Sequence, residues 1–181
     1  DSISRRVDGQ LVVVGNYKNA AAFPNISVDI STGVMDSLAM LPGISSLGMI
    51  TGPSEWYSNR LMRNAAKLYA RRNNIPFCCE HLAFDNDGYE AVRKLEERHG
   101  KLPACLFVTE PAYMGACHYL MKRNIKCPGN LKIVRLGRPS GTYYDSFASI
   151  NVYMETEKMG AEAVEMLLDG TPDKKLCPMK V

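Results

Sequence analysis

The sequence has no long apolar run. Its longest stretches are short ones such as Leu11–Val14, which cannot span a bilayer as a helix. Nor does it have a dominant charge. Lysine and arginine number 22 against 19 acidic residues, a net charge of +3, and bases and acids are mostly interleaved. That balance gives no reason to expect a nucleic-acid or membrane-surface binder. The densest basic stretch, Arg60 to Arg72, falls on a predicted helix and reads as its solvated face. The chain also contains no phosphate-binding glycine loop, no Gly-x-Ser-x-Gly elbow and no His-Glu-x-x-His motif, so the usual marks of phosphoryl transfer, serine hydrolysis and zinc peptidolysis are lacking.

What is there is the composition of a folded globular protein, 46% hydrophobic and 23% charged over 181 residues. This mix rules out a disordered chain, a collagen repeat and a coiled coil. The length suits one ordinary domain or two small lobes. The chain starts at Asp1, with no basic start leading into an apolar stretch, and reads as a piece of something longer. Six cysteines are present, and Cys105 and Cys117 sit in apolar patterns where a free thiol acts as a small hydrophobe. Reduced thiols in a cytoplasmic setting are the expectation.

Short β runs alternate with amphipathic helices. Strands are predicted at Gln10–Val14 (buried, apolar on both faces), Asn25–Val28, Leu47–Thr51, Ile75–Cys79, Ala104–Val108 and Leu131–Val134. Between them lie helices over Ser31–Leu41, a segment capped by Ser54, Gly88–His99 ending at Gly100, and Pro111–Arg123; a last helix stops at Gly170. Apolar stripes at i, i+4, i+7 and i+8 mark the inward faces: Leu61/Ala65/Leu68/Tyr69, Tyr113/Cys117/Leu120/Met121 and Met159/Ala163/Met166/Leu167. This alternation predicts an α/β fold of parallel sheets flanked by helices. Ligands in such folds sit beyond the carboxyl ends of the strands, so residues just after strands carry the functional information.

Two clusters invite chemistry and support little of it. Cys78-Cys79-Glu80-His81 resembles half a metal site, but a zinc centre needs four ligands and no second pair stands out. Cys117-His118 are helix neighbours that point about 100° apart, unsuited to a nucleophile–base pair. No metal, cofactor or catalytic residue is therefore expected. Asp29 after the second strand and Arg60 after a Gly-Pro turn, with Trp56 and Tyr57 before it, could hydrogen-bond and stack on a ligand. The same Asp–Arg pair would serve equally as a structural salt bridge.

The order of motifs resembles the effector-binding region of the lactose/galactose repressor (LacI/GalR) family, related to periplasmic sugar-binding proteins. The matching pieces are Arg6-Val7-Asp8-Gly9, Phe23 to Asp29, Met49-Ile50-Thr51-Gly52-Pro53 with Arg60 beyond it, Phe107 to Ala116, Cys127 to Val134, and Met159 to Leu168. The resemblance implies a periplasmic-binding-protein-like two-lobe fold, partial here, with the DNA-binding head and the first strands of one lobe ahead of Asp1. It implies a first-lobe remainder over about 1–60, a second lobe over about 61–150, and 151–181 crossing back.

Carried over position by position, it makes Asp29, Arg60, Phe84, Thr109, Glu110 and Arg138 ligand-binding candidates, beside Trp56, which the residues themselves offer as a stacking face. Thr109 and Glu110 stand where the family has Asn-Asp. Gly137 stands where it has an acid, with Arg138 beside it favouring an anionic ligand group. The implied function is a cytoplasmic, dimeric ligand sensor for a sugar or sugar derivative, reaching DNA only through a helix-turn-helix outside this chain. The alternatives are a free-standing solute-binding protein and a small cysteine-dependent hydrolase.

Overall fold

The computed structural model describes residues 11–82, 88–170 and 173–181. Two parallel sheets organise them. The first has the order β1-β2-β8, formed by Val13–Val14 (β1), Asn25–Asp29 (β2) and Lys174–Pro178 (β8). The second has the order β4-β3-β5-β6-β7, formed by Leu47–Thr51 (β3), Phe77–His81 (β4), Cys105–Thr109 (β5), Lys132–Leu136 (β6) and Ile150–Val152 (β7). All their pairings are parallel, as expected from the alternation. Parallel neighbours need long crossovers. The helices that supply them are α1 (Ile30–Ala39), α2 (Tyr57–Arg72), α3 (Gly88–His99), α4 (Glu110–Lys122) and α5 (Thr156–Asp169).

The second sheet is covered on both faces because its strands are apolar on both. Leu47, Met49, Phe107 and Val134 pack with α1 and α2, while Ile50, Leu106, Val108 and Ile133 pack with α3 and α4. Successive strand residues point to opposite faces, so one strand feeds both layers. Each such side chain withdrawn from water stabilises the fold by roughly 1.5–3 kcal/mol. The α3–α4 contact is close enough to need glycine on both helices. A Cβ on Gly88 would stand 1.9 Å from Ala112 O, and one on Gly115 would stand 2.6 Å from Tyr89 N.

Several expectations shift. The first strand is only Val13–Val14, and Val14 is exposed, because β1 is an edge that pairs with β2 alone; Gln10 lies outside the described residues. Ser54 does not cap α2, which starts three residues later with Trp56 as its N-cap and no side-chain cap bond. The buried face of α2 is Met62, Ala65, Ala66 and Ala70, and Leu68 is exposed. Small residues there allow the close packing of α1. Met121 and Leu167, each expected inward, edge their helices and are partly in water. β3 pairs with β4 and β5, so Leu47–Thr51 belongs with the second sheet and the chain leaves the first at Asp29–Ile30. β7 and β8 join strands that the sequence pattern did not mark.

Candidate functional site

In the second sheet β4 lies on one side of β3 and β5 on the other, so the connections diverge between Thr51 and Thr109. Such a switch point leaves a crevice at the carboxyl ends of the strands. Thr109 is buried there and its hydroxyl donates to Ile50 O at 3.4 Å. The buried hydroxyl of Thr51 has no hydrogen-bond partner among the described residues.

A cavity of about 590 Å³ opens between the two sheets at this end. From the first sheet come Gly15 to Lys18, just after β1, and Met179, just after β8. The second contributes Trp56 to Ser58 and Met62 at the start of α2, Leu136 at the end of β6 and Met154 after β7. Ile30, the first residue of α1, completes the wall. The volume is in the ordinary range for a small-molecule site. The segments that follow β7 and β8, one from each sheet, are tied together beside it: Tyr153 N–H donates to Lys180 O and Lys180 N–H donates to Tyr153 O, each at 2.9 Å.

Of the residues expected to bind ligand, Trp56 lines this cavity; Asp29, Arg60, Thr109, Glu110 and Arg138 are not among its lining residues. Asp29 ends β2 and caps α1, its Oδ1 accepting Thr32 N–H at 3.1 Å. Arg60 is exposed in the first turn of α2, with its guanidinium carbon 5.8 Å from the Tyr57 ring centroid. Arg138 follows β6, lies 5.2 Å from the Tyr153 ring centroid and pairs with Glu157 at 3.4 Å. Phe84 lies outside the described residues.

Glu110 begins α4 and is held by Arg135, whose Nε and Nη2 donate to its two oxygens at 2.8 and 2.6 Å. Arg135 is a charge in a strand that reads as apolar, and its side chain is only 3% exposed. Its third hydrogen bond goes to Asp145, at 2.5 Å, and its guanidinium carbon lies 4.5 Å from the Tyr113 ring centroid. Asp145 also accepts from the backbone N–H groups of Ser140, Gly141 and Thr142. The Ser140 N–H, with Arg135 and Gly141, holds the Asp145 carboxyl down at about 2.

The two clusters suspected of chemistry come apart for simple geometric reasons. Along β4, Cys79 and His81 share one face, with Sγ and Nε2 3.9 Å apart, while Glu80 on the other face pairs with Arg98. Among the described residues no group of three or more His, Cys, Asp or Glu is arranged to hold a metal. Cys117 is buried, whereas His118 reaches the Tyr144 hydroxyl at 2.5 Å. Burial pushes the thiols of Cys79 and Cys105 up to about 12 and those of Cys117 and Cys127 up to about 11. That is the opposite of what a thiolate nucleophile needs.

The description of a periplasmic binding protein-like domain matches residues 42–179, three quarters of the chain. The chain belongs to that family. No curated protein is matched by it. Among solved structures it is similar to a lac repressor dimer bound to operator and the anti-inducer ONPF, with TM-score 0.81 and 16% identity over 98% of this chain and 73% of that one. It is also similar to a LacI transcriptional regulator from Bacillus cereus subsp. cytotoxis, with TM-score 0.80 and 19% identity over 93% of this chain and 64% of that one. An uncharacterized protein from Actinobacillus succinogenes shares the fold at TM-score 0.80 and 17% identity, over 93% and 66% of the two chains. The chain thus spans about two thirds of the length of such structures. At these identities the likeness establishes a shared periplasmic-binding-protein-like fold. No helix among the described residues is long and apolar enough to cross a membrane.

Proposed function

We propose that the chain is the ligand-sensing domain of a bacterial transcriptional regulator, taking a small metabolite into the cavity between its two sheets. The observation that carries this reading is the cavity itself, placed at the carboxyl ends of the strands and beside the Tyr153–Lys180 tie between the two sheets. A ligand that contacts both sheets favours one relative placement of them over another. It can shift that equilibrium only by its differential affinity for the two. Regulation of DNA affinity would pass through a helix-turn-helix outside this chain.

Six free thiols accord with a cytoplasmic setting better than with an exported solute-binding protein. The raised thiols weigh against a cysteine hydrolase. Self-association as a dimer draws support from an exposed apolar stripe on α5, where Val164, Leu167 and Leu168 follow helical spacing. In this reading Asp29, Arg60, Thr109, Glu110 and Arg138, outside the cavity lining, reach the ligand only once the sheets close on it.

Thermal melting against a metabolite panel tests the proposal. A binder should raise the melting temperature of the chain, remain chemically unchanged, and lose its effect when Ser58→Trp fills the cavity. Turnover of the compound, or a shift indifferent to Ser58→Trp, would contradict it.

A further inference from the structure

The geometry points to an aromatic anion as the ligand of this cavity: a planar, largely apolar ring system carrying one carboxylate or phosphate. The inference rests on reading the cavity as the effector site and names the class of compound it takes. Three of its lining residues are methionines, Met62, Met154 and Met179, contributed by three different elements. Their thioethers are flexible and polarizable and make favourable contacts with ring edges. Tyr17 and Trp56 add aromatic surface from the two sheets, at 62% and 49% exposure. Large aromatic faces left this wet around a concave site are what a ligand ring would cover.

The polar side chains are few, and only one of them is charged. The Asn16 amide is engaged by Val28, donating to its carbonyl at 2.8 Å and accepting its N–H at 3.1 Å. Lys18 is the only charged side chain among the described lining residues, and none of those residues carries a carboxylate. Neutral polyols are gripped most firmly by carboxylates and amides, and the one amide here is already engaged. Here the remaining lining side chains offer hydroxyls at Tyr17, Tyr57 and Ser58, and one ammonium. A single anionic group set against Lys18, with a ring between the aromatics and the methionines, matches the lone charge and the apolar surface of this wall. Met154 and Met179 adjoin the Tyr153–Lys180 tie, so such a ring would bear directly on that link between the sheets.

Trp56 is the only tryptophan in the chain, so its emission reports on the cavity without labelling. The probes are benzoate and phenyl phosphate, set against benzamide, glucose and gluconate, with calorimetry for affinity. Benzoate or phenyl phosphate should change Trp56 emission saturably and bind at least about tenfold more tightly than benzamide, a difference of about 1.4 kcal/mol. Lys18→Met should abolish that preference and leave benzamide unaffected. If glucose or gluconate binds more tightly and shifts Trp56 emission, the ligand class is wrong and the cavity still stands as the site. If aryl anions bind without altering Trp56 emission and regardless of Ser58→Trp, both the class and the site are wrong. Failure of both aryl anions to bind overturns the class, and the melting panel then decides the site separately.

Discussion

The carboxylate of Glu110 occupies the place where a side chain on residue 137 would begin: a Cβ added to Gly137 would stand 1.5 Å from Glu110 Oε2. Arg135 fixes it there by two hydrogen bonds, so this far end of a flexible side chain is not free to swing away. The strand end that lacks an acid at 137 therefore carries one supplied from α4.

Gly137→Ala must displace Glu110 from Arg135. It should cost about 1–3 kcal/mol in urea unfolding, in the range of overpacking a filled site. In a Glu110→Ala background the same substitution should cost less, with a coupling energy above about 0.5 kcal/mol. Strictly additive values would show that the carboxylate does not hold that space.

Acid stability should carry the mark of Asp145. Its folded carboxyl sits at about 2 against an ordinary 3.8, so its contribution is complete above the unfolded range and disappears as pH falls through about 2. Replacement by asparagine should shrink the difference in urea midpoint between pH values near 5 and near 2. A variant as acid-sensitive as the parent would place the titration elsewhere.

The thiols should be sluggish. With Cys105 at about 12 and Cys117 at about 11, and both fully buried, iodoacetamide near neutral pH should modify them only after unfolding. Mass mapping of native and denatured samples reads this directly. Rapid native labelling of Cys117 would reopen the hydrolase alternative.

Much of the fold was legible because β3 and β5 are unbroken apolar runs of strand length, and Gly88–His99 keeps a helical stripe up to Gly100. β8 escaped notice because Lys174 and Lys175 make it read as polar; it sits on a sheet edge where long cationic side chains stay in water. The site was only half legible. Residues after strands do face the crevice region, yet Asp29 is engaged in a helix cap and Glu110 in an ion pair, and neither partner could be inferred from local pattern. Arg135 falls just after the predicted strand Leu131–Val134, among the strand-end residues, but its acids lie 25 and 10 positions away and no local pattern marks them as its partners. Gly15-Asn16-Tyr17 follows β1 and could have been found by the same strand-end rule. Met62, Met154 and Met179 carry no such signal, since methionine in a pattern reads as core.

The central claim, that a small molecule binds between the two sheets, is tested most directly by the methyl NMR spectrum of the methionines during titration with a compound that raises the melting temperature. The account predicts that Met62, Met154 and Met179 shift together and saturate at one concentration, while Met40, Met114 and Met121, exposed on other helix faces or ends, stay in place. Saturable binding that moves Met40, Met114 or Met121 and leaves the three cavity methionines unchanged would contradict it.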